Sequence, residues 1–248
     1  MTCQKGDPEG NLADHDRILA EAAAAGCAVA VYPEMSLSGS VEPAAQPFRL
    51  LTLDHPAVTA LTARTADHGV AAVFGVAELA GAGTAHITQV VAHDGAITGV
   101  YRKRHLGEGE EAFTPGSDRS IFEVGGVRFG IGICAESGVD FPWDQAAADG
   151  ADVLFFPAAP GLYGRRLTEA DWIRGFDWWE SCGLADARRH AARTGTWIAM
   201  TGQAGSTEDE DFPGIAALID PAGEVVDRLP DWRPGTLIVD IPVGDSRS

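Results

Sequence analysis

The sequence predicts an α/β domain with mixed sheets, in which parallel and antiparallel strands occur together. Apolar strand-like runs alternate with helical stretches, which favours parallel pairing. Tight-turn signals such as Asp94-Gly95 also join neighbouring strands, and hairpins require antiparallel pairing. The chain has 248 residues, of which 45% are hydrophobic, enough for one large domain with a substantial core. We find no linker, low-complexity stretch or internal repeat, so a single domain over residues 1–248 is expected.

The first third of the chain predicts two helices, each followed by a strand. Asn11 can cap the first helix, and Gly26 is a typical stop signal after it. Pro33 closes the apolar run that follows. Pro56 favours the start of the second helix, which ends near Gly69. The predicted helices are 11–25 and 56–69, and the predicted strands are 27–32 and 70–76.

The rest of the chain predicts three hairpins, two further helices and three further strands. The hairpin turns are Asp94-Gly95, Gly125-Gly126 and residues 220–223. The first two turns are flanked by strands 86–92 and 97–101, and by strands 120–124 and 127–133. Helices at 143–149 and 184–193 precede strands at 153–156 and 196–201, and a last strand is expected at 236–241. The aromatic-rich segment 161–179 has weak periodicity, and it predicts either a packed excursion or interface element, or a lid or pocket wall.

Composition excludes several function classes. A formal net charge of −18 disfavours nucleic acid and anionic membrane surfaces as partners. No apolar run reaches the roughly 20 residues that a membrane span needs, and no signal sequence is recognisable. Four scattered cysteines without a Cys-x-x-Cys pair indicate reduced thiols and a cytoplasmic protein. No Cys/His cluster or His-Glu-x-x-His motif occurs, so neither a metal nor a cofactor is predicted.

The chain contains only two lysines, against sixteen arginines, and one of them is Lys103 between Arg102 and Arg104. Lysine is a compact ammonium on a flexible stem, whereas the guanidinium of arginine is a broad fork. A lysine in an arginine-rich chain therefore suggests a position that requires a small cation. Taken alone, a chance surface lysine explains Lys103 better.

Three reactive side chains follow predicted strands: Glu34, Lys103 and Cys134. Ligands gather at the carboxyl ends of strands in open α/β sheets, so these groups can converge if their strands share a sheet. A nucleophilic cysteine needs a base, and a neighbouring cation favours both a thiolate and a later oxyanion. Glu34 and Lys103 supply these groups. The alternatives are a buried structural cysteine and a surface carboxylate.

These residues lie in motifs that resemble those of the nitrilase, or carbon–nitrogen hydrolase, superfamily. The motifs are Tyr-Pro-Glu-Met-Ser-Leu-Ser-Gly at 32–39, Tyr-Arg-Lys-Arg-His-Leu at 101–106 and Gly-Ile-Gly-Ile-Cys at 130–134. They occur in the order typical of that family. Residues 6–12, 110–116 and 212–214 resemble further family landmarks, and the similarity runs from about residue 6 to 241.

The resemblance implies a four-layer α-β-β-α sandwich with mixed sheets, assembled as a homodimer or higher homo-oligomer. It also implies hydrolysis of a small amide by water through a thioester on Cys134, without a cofactor. Glu34 is expected to be the general acid and base. Lys103 and the backbone N–H of Ala135 are expected to stabilise the oxyanion. An amidase is favoured over a nitrilase, because more family branches cleave amides.

A second glutamate is expected to orient Lys103 or the substrate, and we place it at Glu110, with Glu111 as the rival. Glu111 and Glu136 are further candidates for the substrate pocket, and for Glu136 an ion-pair role is the alternative. Pro157 and Ala158 are pocket candidates because they stand where the family often has Asn-Pro-Ser. The family's first strand normally precedes the motif at 6–12, and two alternatives stay open here: the start of the sequence is truncated, or that edge strand is missing.

Two other functions remain open from the sequence. One is a non-catalytic or regulatory binding module on the same scaffold, although the presence of Glu34, Lys103 and Cys134 together argues against it. The other is an acyl transferase that uses the same thioester.

Overall fold

The computed structural model describes residues 1–161, 168–230 and 233–243, without the side chain of Trp178. The helices are α1 (Pro8–Ala24), α2 (Pro56–His68), α3 (Phe141–Ala148), α4 (Glu169–Trp179) and α5 (Ala185–Thr194). One π-helical turn, Glu180–Leu184, joins α4 to α5. The first strands are β1 (Val29–Val31), β2 (Ala71–Leu79), β3 (Ala85–His93), β4 (Ala96–Arg102), β5 (Ile121–Val124) and β6 (Val127–Ile131). The remaining strands are β7 (Val153–Ala158), β8 (Trp197–Gly202), β9 (Ala204–Ser206), β10 (Asp211–Pro213), β11 (Ala216–Ile219) and β12 (Val225–Arg228).

The strands form two mixed sheets and one small ribbon. The first sheet has the order β1-β2-β3-β4, in which only β1 and β2 are parallel. The second sheet has the order β12-β11-β8-β7-β6-β5, in which β6, β7 and β8 are parallel and the other pairs are antiparallel. Strands β9 and β10 pair antiparallel as a separate ribbon. The mixed α/β class predicted from the sequence is confirmed.

The two sheets pack face to face, and helices cover their outer faces. Neighbouring residues on a strand point to opposite faces, so they belong to different layers of the core. Val73 packs between the sheets, whereas Phe74 packs in the cluster formed with α1 and α2. In the second sheet Phe155 packs between the sheets, and Phe156 packs against α3 and α5. The layer order is therefore α-β-β-α, as the family resemblance implied.

Some predicted elements differ from the structure. Helix α1 begins at Pro8, and Asp7 caps it by accepting a hydrogen bond from the N–H of Gly10 at 3.0 Å. Asn11 lies inside this helix, where its buried amide donates to the carbonyl oxygens of Gln4 and Leu37. The strand predicted at 236–241 is absent, because that segment has no ladder pairing. Within the described residues, no helix has both the length and the apolar character needed to cross a membrane.

The segment 161–179, for which the sequence left two interpretations, is partly helical. Its second half forms α4. The side-chain hydroxyl of Thr168 caps this helix by accepting a hydrogen bond from the N–H of Asp171. Residues 162–167 lie outside the described part of the chain, so neither interpretation of that stretch is tested.

The loop that follows β1 carries Glu34 and rests directly on β2. Leu37 donates from its N–H to the carbonyl of Gly75 at 2.9 Å, and the N–H of Gly75 donates to the Ser36 hydroxyl at 3.1 Å. The buried ring of His15 contacts the same hydroxyl at 2.9 Å. Burial lowers the pKa of His15 to about 4, so this ring is neutral at neutral pH. These contacts fix the loop, in which Met35 adopts a φ of 49°.

Gly75 is required for the close approach of this loop to β2. A Cβ atom at Gly75 would lie 2.2 Å from the backbone nitrogen of Met35. We expect Gly75→Ala to lower the free energy of unfolding by about 1–3 kcal/mol, because the loop backbone must shift. The matched control is Gly81→Ala, where a Cβ atom meets nothing within 4 Å. Urea unfolding of both variants tests this, and equal stability of the two would contradict the account.

Candidate active site

The three reactive residues that follow predicted strands do meet, but their strands lie in two different sheets. Glu34 follows β1 and Lys103 follows β4, both in the first sheet. Cys134 follows β6 in the second sheet. The condition that the three strands share one sheet is therefore not met. Face-to-face packing of the two sheets brings the strand ends together instead.

Lys103 lies at the centre of the site and is fully buried. Its Nζ atom is 2.8 Å from Oε1 of Glu34 and 2.6 Å from Oε1 of Glu110. Burial alone lowers the pKa of a lysine, but here the negative charges of Glu34 and Glu110, together with that of Cys134 when its thiol ionises, raise the pKa of Lys103 above its ordinary value. The side chain is therefore an ammonium group at neutral pH.

Glu34 is held at both its side chain and its backbone. Its second carboxylate oxygen accepts a hydrogen bond from the N–H of Ala159 at 2.9 Å. Its carbonyl oxygen accepts from the Gln203 side-chain amide at 2.8 Å. Burial raises the pKa of Glu34, and the positive charge of Lys103 opposes this rise. A carboxylate with a raised pKa is a better proton acceptor than an ordinary glutamate, as general-base catalysis requires.

The structure distinguishes between the two candidates for the second glutamate. Glu110 contacts Lys103, and its other oxygen accepts from the N–H of Gly107 at 2.6 Å. Glu111 is exposed, and its carboxylate accepts a local hydrogen bond from the N–H of Gly109 at 3.1 Å. Glu110 is therefore the one that contacts Lys103, whereas Glu111 lies on the exposed surface.

Cys134 occupies a sharp turn at the end of β6. Its φ of 41° lies in the left-handed region, which costs a residue with a side chain about 1 kcal/mol or more. A short 3₁₀ turn, Cys134–Gly138, follows at once. Cys134 is partly exposed, and the N–H of Ala135 beside it has no acceptor among the described residues. The turn thus presents a sulfur atom and a free backbone donor together.

The electrostatic surroundings of Cys134 favour a neutral thiol at rest. Burial raises its pKa first, and the negative charge of Glu34 raises it further, whereas Lys103 lowers it. The thiol therefore needs a base at the moment of attack. An interaction with this thiol is among the effects that oppose the rise in the pKa of Glu34, so the carboxylate and the thiol are neighbours in the site.

The remaining pocket candidates do not line an accessible surface. Glu136 is fully buried, and its carboxylate accepts hydrogen bonds from four donors, so a pocket role does not fit its placement. Pro157 and Ala158 are buried within β7. The next residue, Ala159, is half-buried and directs its N–H into the site.

The sequence interpretation missed two contributors to the site, Ala159 and Gln203. Ala159 acts through its backbone N–H, which also lowers the pKa of Cys134, and no side chain marks such a role. Gln203 directly follows β8, so the end-of-strand rule that selected Glu34, Lys103 and Cys134 would also have selected it.

No three His, Cys, Asp or Glu side chains in the described ranges are arranged to hold a metal ion. An apolar cavity of about 440 Å³ lies between the sheets, lined among others by Val29, Val31, Phe155 and Ala199. Neither Lys103 nor Cys134 lines it, so this cavity is separate from the site. All four cysteines are free thiols.

The profile of the carbon–nitrogen hydrolase family matches residues 1–248. The chain belongs to the carbon–nitrogen hydrolase family. Its fold is similar to that of the NitN amidase from Neterenkonia sp. AN1, with a TM-score of 0.79 and 25% sequence identity. This likeness covers 98% of the present chain and 90% of the other.

Curated relatives include proteins of different activities. A glutamine-dependent NAD(+) synthetase from Xylella fastidiosa is 28% identical over 87% of this chain and 38% of its own length. An N-carbamoylputrescine amidase from Solanum tuberosum is 26% identical over 79% of this chain and 67% of its own. A 2-oxoglutaramate amidase from Bacillus subtilis is 30% identical over 64% of this chain and 57% of its own. The chain thus spans well under half the length of the synthetase.

Glu110 and Glu111 form a natural pair for testing the site. Glu110→Gln removes one of the two carboxylates that contact Lys103, so we expect amide hydrolysis to fall by about tenfold or more. Glu111→Gln changes an exposed neighbour and should leave the rate close to wild type. Ammonia release by the two variants tests this, and equal rates would show that Glu110 has no special role.

Proposed function

We propose that this chain hydrolyses the carbon–nitrogen bond of a small amide through a thioester on Cys134. One observation carries the proposal: a thiol at a sharp turn meets a buried lysine that is ion-paired to two carboxylates. A structural core does not favour this arrangement, because buried charges are costly unless they are paired. The set supplies a nucleophile, a base and a fixed positive charge.

The first half-reaction forms the thioester. Glu34 takes the proton of the Cys134 thiol while the sulfur attacks the amide carbon. The resulting oxyanion is stabilised by the Lys103 ammonium and the N–H of Ala135. Glu34 then donates its proton to the amide nitrogen, the carbon–nitrogen bond breaks, and ammonia or an amine leaves.

The second half-reaction returns the enzyme to its starting state. Water attacks the thioester carbon while Glu34 accepts one of its protons. The same oxyanion contacts with Lys103 and Ala135 stabilise the second tetrahedral intermediate. The carbon–sulfur bond then breaks, the carboxylic acid product leaves, and the Cys134 thiol recovers its proton. No step requires a cofactor.

An amide substrate is favoured over a nitrile by the relatives, several of which are amidases by name. The likeness to glutamine-dependent synthetases favours the side-chain amide of an amino acid as a second substrate class. Assembly with a second copy and a cytoplasmic location stay predictions from the sequence.

Substitution of the nucleophile tests the proposal. Cys134→Ala should abolish ammonia release across a panel of small amides, ω-amides including glutamine, carbamoyl compounds and nitriles. Cys182→Ala is the matched control, because Cys182 is another partly exposed free thiol and should be dispensable.

Three outcomes would count against amide hydrolysis. Unchanged turnover by the Cys134→Ala variant would contradict a thioester on this residue. No turnover by wild-type protein on any compound would favour a binding module. Acylated products formed only with added amines would favour an acyl transferase.

A further inference from the structure

The carboxylate of Glu136 connects the segment that carries Lys103 with the turn that carries Cys134. Its Oε1 atom accepts hydrogen bonds from the Tyr101 hydroxyl at 2.8 Å, from the N–H of Arg104 at 2.9 Å and from the N–H of His105 at 3.2 Å. Its Oε2 atom accepts from the N–H of Ile133 at 2.8 Å. One buried side chain thus holds both segments.

The positions of the four donors make this link specific. Tyr101 lies two residues before Lys103, while Arg104 and His105 follow Lys103 directly. The donors to Oε1 therefore bracket the lysine on both sides. Ile133 directly precedes Cys134. A shift of the carboxylate relative to either segment would change the distance between the lysine and the sulfur.

The backbone of Glu136 is also fixed. Its N–H donates to the carbonyl of Ile133 at 2.9 Å, and its own carbonyl accepts from the indole N–H of Trp143 at 2.9 Å. The Trp143 ring packs against Gly132, where a Cβ atom would lie 2.6 Å from the ring. The backbone of Glu136 is therefore anchored on the side of the second sheet through α3, and the segment that carries Lys103 is held by hydrogen bonds to the Oε1 atom.

The carboxylate lies in no ion pair with the described residues; donor groups alone stabilise its charge. An ionised carboxylate can accept on both oxygens, whereas a glutamine amide replaces one acceptor with a donor. In either orientation of a glutamine side chain at this position, its amide nitrogen would face an N–H or O–H group that now donates to Glu136. The link therefore depends on the charge of the carboxylate as well as on its shape.

We propose that Glu136 is a positioning residue that sets the distance between the Lys103 ammonium and the Cys134 sulfur. It touches neither the reacting atoms nor the substrate. The expected fall in amide hydrolysis rests on the proposed function, but the expected change in the distance between Lys103 and Cys134 does not. If the link is broken, Lys103 moves away from the sulfur and stabilises the thiolate less. Alkylation of Cys134 should then require a higher pH, and the amide hydrolysis rate per active site should fall.

The test compares Glu136→Gln with wild type, with Glu78→Gln as the matched control. Glu78 is also buried, and it accepts hydrogen bonds from the Arg102 guanidinium at 2.7 and 2.8 Å, but it does not contact the Cys134 turn. The pH dependence of iodoacetamide alkylation at Cys134 is measured by peptide mass spectrometry. Turnover is measured per site on the protein fraction that elutes as folded species in size-exclusion chromatography, so unfolded molecules do not count.

For Glu136→Gln we expect the alkylation midpoint to move to higher pH and turnover per site to fall by roughly a hundredfold, the scale of a 1 Å misplacement. Glu78→Gln should lower stability without moving the midpoint. An unmoved midpoint with wild-type turnover per site in Glu136→Gln would overturn the proposal, and so would an equal shift in the control.

A second variant decides the question if Glu136→Gln does not fold. Tyr101→Phe removes one of the three donors to Oε1, and we expect a smaller shift of the midpoint in the same direction. A wild-type profile in this variant would overturn the proposal. Alkylation needs no amide substrate. A wild-type protein that hydrolyses no amide would therefore refute the proposed function while leaving the role of Glu136 open to the same measurement.

Discussion

The ammonium group of Lys103 lies buried between the carboxylates of Glu34 and Glu110, and the site depends on this ion-paired group. Removing a charge from water costs several kcal/mol, and only good geometry with further hydrogen bonds offsets that cost. The group is therefore stable only when each partner is held in place. This ion-paired group does not serve to stabilise the fold. It holds one cation and two anions in fixed positions beside a thiol.

That requirement explains why so many strand ends converge here. Glu34 and Lys103 come from the first sheet, while Cys134, Ala159 and Gln203 follow strands of the second sheet. Both sheets must pack face to face before the ion-paired group is complete. The hydrogen bonds from Ala159 and Gln203 to Glu34 cross between the sheets, so they couple the Glu34 carboxylate to the sheet that carries Cys134. Chemistry and sandwich packing are thereby linked.

Local signals predicted most of the fold. The Asp94-Gly95 turn forms its hairpin with positive φ at both residues, and Gly69 ends α2 in the left-handed conformation, because these effects act within a few residues. Long-range effects were not predictable in this way. Asn11 is a good helix cap by type, but its amide is engaged with distant carbonyls, so Asp7 caps α1 instead.

The same division applies to the site. Glu34, Lys103 and Cys134 could be identified because each reactive side chain follows a strand in a motif of recognisable order. The role of Glu136 could not be identified from the sequence, because three of the four groups that donate hydrogen bonds to its carboxylate come from a segment about thirty residues away. Ala159 acts through a backbone N–H that every residue but proline possesses. Sequence therefore indicated which reactive groups are present, and packing determined how they are held.

The most direct test of the central claim is the activity of Lys103→Arg. This variant keeps the positive charge but replaces a compact ammonium with a broad fork, in a fully buried space bounded by Glu34 and Glu110. We expect kcat/KM for amide hydrolysis to fall by about a hundredfold or more, as for the loss of one oxyanion donor, in protein that still shows a cooperative thermal transition. Near wild-type activity would show that positive charge alone suffices, and it would contradict the account of a site built around the lysine ammonium.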